Sequence, residues 1–99
     1  MLLGDSMAGA AVPVLEVEGA PTVWVSSQDG SDPRPGGVPS PAMCQVTGGG
    51  VPTLVEPTAS NTALGDTDLW VVAQVEGLQP PGEVTCDGPG VKHVYVGVP

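Results

Sequence analysis

The chain has 99 residues, enough for one domain with a modest core. Its 15 Gly and 12 Pro argue against long helices, and seventeen Val with no Ile and no Phe favour short pleated strands. A formal net charge of -9, from 11 acidic residues against Arg34 and Lys92, argues against nucleic acid and anionic membrane surfaces as partners, because phosphates call for Lys and Arg.

Residues 1–11, MLLGDSMAGAA, show no strand alternation. They have no basic flank and only a short apolar run, so they do not read as an intact signal peptide. A flexible N-terminal segment or a cloning remnant is expected there, with a single β-sandwich domain over residues 12–99. No stretch reaches the ~18 apolar residues of a membrane-spanning helix, so direct insertion by this segment is not expected. An exported form would carry its signal or anchor outside these residues.

Residues 12–18 read as a first strand, with Leu15 and Val17 inward, Glu16 and Glu18 outward, and Pro13 suited to an edge. Gly19, Ala20 and Pro21 turn the chain. Residues 22–28 read as a second strand, with Val23, Val25 and Ser27 on one face. Trp24 lies on the other, where it either covers the sheet or marks a contact. Residues 29–41, DGSDPRPGGVPSP, form a long loop. Asp29 and Asp32 invite a calcium reading, but Pro33 at the fifth position and the absence of a closing Glu exclude an EF-hand. Turn-forming aspartates are the simpler explanation, and no metal site is assigned. Arg34, between two prolines on the loop tip, is a candidate partner contact.

Residues 42–47 give a third strand, with Ala42, Cys44 and Val46 inward. Gly48-Gly49-Gly50 is a turn and not a phosphate loop, because no Lys-Ser/Thr and no helix follow it. Residues 51–56 give a strand kept short and at an edge by Pro52 within it and Pro57 after it. Residues 58–66 read as a connection between sheets. Leu69, Val71, Ala73 and Val75 then share one face of a central strand, and Trp70 and Val72 the other. Pro80, Pro81 and Gly82 break the chain. Val84 and Cys86 alternate with Glu83, Thr85 and Asp87 in a sixth strand. In the last strand Val94, Val96 and Val98 face inward, with Lys92 on that side near the strand's start. His93 and Tyr95 lie on the other face, as a surface pair or a contact site.

Seven short strands with turn signals between them predict an all-β fold, an immunoglobulin-like β-sandwich. The expected pattern differs from antibody domains: no Trp follows Cys44, and Val84 stands where a corner tyrosine would. The two cysteines allow one pairing, and neither a CxxC motif nor Cys/His metal spacing is present. A Cys44–Cys86 disulfide is expected, with an oxidising compartment implied.

Two short motifs resemble known families. Gly4-Asp5-Ser6-Met7 is similar to the nucleophile block of the GDSL hydrolases. That family needs an Asp three residues before its His, and Gly90 occupies that place relative to His93, the one histidine. The Gly and Asn oxyanion blocks are missing as well, so no catalytic residue and no cofactor is assigned. The segment from Gly82-Glu83-Val84-Thr85-Cys86-Asp87-Gly88-Pro89 to Val94-Tyr95-Val96-Gly97-Val98-Pro99 resembles small extracytoplasmic β-domains of actinobacterial envelope proteins. That resemblance implies an exported domain, commonly attached to a membrane-spanning helix outside these residues. The two strand cysteines, the missing catalytic set and the turn-rich β pattern point to a non-catalytic extracytoplasmic domain that binds a protein or envelope component, or acts as a spacer. Trp24, Arg34 and Tyr95 are its candidate contacts. The alternative is a virion structural protein, such as a capsid-decorating β protein.

Overall fold

The computed structural model describes residues 2–16, 18–27, 43–53, 61–64, 67–88 and 90–97. The described residues hold nine strands: β1 Leu2–Met7, β2 Ala11–Val14, β3 Thr22–Ser27, β4 Cys44–Val46, β5 Val51–Thr53, β6 Asn61–Leu64, β7 Thr67–Glu76, β8 Gly82–Cys86 and β9 Val91–Gly97. They build two antiparallel sheets. The larger runs β1-β9-β3-β7-β5, with β6 also paired to β7, and the smaller runs β2-β8-β4. Pro80-Pro81 is a cis peptide in the link from β7 to β8.

Valine fills the core from both sheets. Val23, Val25, Val72, Val75, Val94 and Val96 come from the larger sheet, and Val12, Val14 and Val84 from the smaller, joined by Cys44 and Cys86. Each fully buried Val contributes roughly 1.5–3 kcal/mol of transfer free energy, before the entropy of ordering the chain is set against it. The alternation expected for β3, β4, β8 and β9 is present: Val23 and Val25, Cys44, Val84 and Cys86, and Val94 and Val96 are all buried. Lys92, on the inward side of the last strand but near its start, where it could extend to solvent, is exposed. Ala42 and Val98 lie outside the described residues.

Four sequence expectations are corrected. The first concerns residues 1–11, where the expected unordered segment is replaced by β1 over Leu2–Met7. This strand has almost no apolar pattern to read, because it is held by its backbone pairing to β9. The second concerns the phase of β2. Val12 and Val14 face in, while Leu15, expected inward, is 68% exposed. Pairing ends at Val14, so the residues after it are not bound by strand alternation. Val17 lies outside the described residues.

The third correction is in β7. The register against β3 slips between Val23 and Trp24, which oppose Ala73 and Val71 respectively. This bulge inserts one residue and flips the alternation phase. Leu69 and Val71 therefore sit with Trp24 on the outer face, while Ala73 and Val75 join Val72 and Trp70 at the core. The fourth is β6, a strand inside the segment read as a connection.

The Gly48-Gly49-Gly50 turn links β4 to β5 and lies against the β7–β8 link. Gln79 N–H donates to the Gly48 carbonyl at 2.9 Å. A Cβ on Gly82 would come within 2.7 Å of the Thr47 carbonyl oxygen, so the backbones approach as closely as they do only because residue 82 is glycine.

Candidate functional site

The outer face of the larger sheet gathers most of the side chains with recognisable chemistry. Trp24 on β3 directly opposes Tyr95 on β9, and Tyr95 in turn opposes Asp5 on β1. Two positions along, Met7 opposes His93, which opposes Ser26. Residues directly opposite in an antiparallel pair share a face, so these six side chains form two adjacent rows.

Trp24, Tyr95 and Leu69 form a buried cluster with Val71 against it, and Trp24 and Tyr95 are only 4% and 8% exposed. The His93 and Tyr95 rings stack at 5.9 Å with 29° between their planes. Burial pushes the Tyr95 hydroxyl above the ordinary tyrosine range, and the negative charge of Asp5 pushes it further the same way. His93 Nδ1 is buried with no hydrogen-bond partner among the described residues.

Two of the three predicted contact residues, Trp24 and Tyr95, are thus brought side by side. The third, Arg34, lies outside the described residues, as do Asp29 and Asp32. Asp5 and Met7 were not identified from the sequence. Their neighbours Gly4 and Ser6 are not apolar, so period-2 alternation gives no signal there.

Ser6, from the GDSL-like block, sits on the other face of β1. It opposes Val94, a core residue, whereas Met7 opposes His93. Ser6 and His93 therefore point to opposite sides of the sheet. The Ser6 hydroxyl donates to the carbonyl oxygens of Ala10 at 3.0 Å and Met7 at 3.3 Å, tying down the corner between β1 and β2. Gly4 is also structural: a Cβ there would lie 3.0 Å from Val12 Cγ1, where β2 crosses beneath β1.

Cys44 and Cys86 are bonded, with Cα atoms 4.1 Å apart and 42 positions between them in the chain. They directly oppose each other on β4 and β8. The bond is thus a clip within the smaller sheet, and it fixes a strand of three residues to its neighbour. Both half-cystines are buried in the core cluster. A structural disulfide of this kind points to an oxidising environment outside the cytoplasm. No helix among the described residues is long and apolar enough to cross a membrane. The chain matches no protein family, no curated protein and no solved structure.

Proposed function

We propose that this chain is a non-catalytic extracytoplasmic domain of a cell-envelope protein, an immunoglobulin-like sandwich that binds a protein or envelope component or holds one at a distance. The observation that carries the reading is the buried Cys44–Cys86 clip on the short strand β4. A cytosol that keeps thiols reduced would leave that strand with three residues of pairing and no covalent tie. Two further features support a non-catalytic role. The Ser6 hydroxyl is committed to backbone carbonyls, and the one imidazole is on the opposite face of the sheet.

The reading is checked in cells that make the protein, by alkylating intact cells without reductant and then fractionating them. A domain of this kind is recovered outside the cytoplasm with neither cysteine alkylated. Recovery in the cytosol with both Cys44 and Cys86 alkylated would overturn it.

A further inference from the structure

Strand edges are where a sandwich can recruit another chain, because each edge carries main-chain groups with no partner in the sheet. Among the described residues, the edges of this molecule differ in how they are closed. In β8 the Glu83 carbonyl accepts from Thr47 N–H, so the Glu83 main chain faces β4. Pro13, opposite Glu83, therefore turns its nitrogen to the open side of β2. Val75 N–H donates to the Pro21 carbonyl, away from β5, so Pro52 opposite Val75 likewise turns its nitrogen outward. Both edges thus present a proline where a docking strand would need a donor. β4 has three residues and β6 four.

β1 is different. It has six residues, no proline, and no strand on its far side among the described residues. Ala8 N–H donates to the Lys92 carbonyl at 3.1 Å. By antiparallel alternation the main-chain groups of Ser6 face β9, and those of Asp5 and Met7 face outward. Ala10 N–H donates to the Met7 carbonyl, also at 3.1 Å. That alternation leaves the Asp5 N–H, the Asp5 carbonyl and the Met7 N–H without a partner strand among the described residues.

The side chains at this edge state what would fit. Asp5 is exposed at its middle, and Met7 is 54% exposed two positions along on the same face. Asp87 lies by the Gly9 corner at the end of β1, and the whole chain carries a formal charge of -9. A second copy paired about a two-fold axis at Asp5, the middle of the exposed edge, would bring that carboxylate against its own equivalent, a like-charge pair that destabilises the join.

We propose that the open edge of β1 docks an extended cationic peptide by strand addition, with a Lys or Arg opposite Asp5 and an apolar side chain beside Met7. Main-chain bonds to Asp5 and Met7 supply the affinity, and the charge and the thioether supply the selectivity. The inference rests on the binding-domain reading above and names the partner's chemistry.

The experiment is fluorescence anisotropy on the full chain, using a labelled eight-residue alternating peptide with one lysine two positions from a leucine. Saturable binding is expected. Asp5→Asn should weaken it about 1.5- to 5-fold, the range of a cross-strand charge pair. Met7→Pro removes an outward N–H and leaves the ladder to β9 intact; it should weaken binding about tenfold or more. A peptide N-methylated on its β1-facing amides should not bind to the unaltered chain, which gives the same answer if the proline variant misfolds. No binding to the unmethylated peptide would overturn the proposal. So would equal binding of methylated and unmethylated peptides, which would indicate docking elsewhere and leave the binding-domain reading standing. Sedimentation showing a dimer that excludes the peptide would identify a second copy as the occupant and overturn it too. The compartment assigned above is decided separately, by the alkylation of Cys44 and Cys86.

Discussion

Replacing both half-cystines, Cys44→Ala with Cys86→Ala, releases a closed loop of 42 positions in the unfolded chain. On the chain-entropy relation this costs ~13 cal/mol/K, about 4 kcal/mol at 25 °C. The folded side loses as well. β4 pairs with β8 over three residues only, and both sulfurs sit in the core cluster. A small domain has a net stability of about 5–15 kcal/mol, so the double variant should sit near the edge of folding. Urea unfolding followed by the fluorescence of Trp24 and Trp70 reads the difference. The midpoint should fall by about 2–4 M at an m-value of roughly 1–2 kcal/mol/M. A loss under about 1 kcal/mol would refute the view that this bond holds the smaller sheet together.

Gly82→Ala should destabilise by about 1–3 kcal/mol, because the new methyl meets the Thr47 carbonyl at 2.7 Å and neither backbone can withdraw. Gly19→Ala, with φ at +81° and open space around it, should cost only about 1–2 kcal/mol from the left-handed backbone, and thermal melts compare the two. Trp24→Ala should cost about 3–5 kcal/mol, since it removes the centre of the outer-face cluster; a loss within 0.5 kcal/mol in urea would mean that the ring carries no packing. Tyr95 is the one tyrosine, so absorbance at ~295 nm follows it alone. Its hydroxyl should titrate above pH ~10, and Asp5→Asn should bring the midpoint down. The stability tied to that proton is fully present below pH ~10 and is lost as pH rises through the higher folded value, because the unfolded chain gives up the proton first. An unshifted midpoint that Asp5→Asn leaves in place would contradict the assignment.

The parts of the fold that the sequence made legible are those where alternation and burial coincide. Val23 and Val25, Val84 and Cys86, and Val94 and Val96 are period-2 pairs whose intervening residues differ from them in polarity or size, so the inward face could be named. β1 could not be read, because an edge strand is held by main-chain bonds and its inner positions, where side chains are described, are Gly4 and Ser6. The phase of β2 was misassigned because Leu15 is the largest apolar residue in its run, yet pairing stops one residue before it. In β7 both faces are apolar, so a bulge leaves no trace in the pattern, although it decides that Val71 faces Trp24 and Ala73 faces the core. For the candidate site, Trp24 and Tyr95 could be picked singly as aromatic residues facing away from the valines. Their adjacency depends on β9 pairing with β3, a join between elements distant in sequence that no local pattern encodes. Asp5 and Met7 entered the site by the same long-range pairing.

The nuclear Overhauser spectrum of the oxidised protein reads the Cys44–Cys86 clip and its register together, because contacts between Hα protons report which residues face each other across two strands. Strong Hα–Hα contacts are expected for Cys44 with Cys86 and for Val46 with Val84, the two close pairs of the β4–β8 ladder. A spectrum in which Cys44 and Cys86 lack that contact, with both thiols open to alkylation, would contradict it.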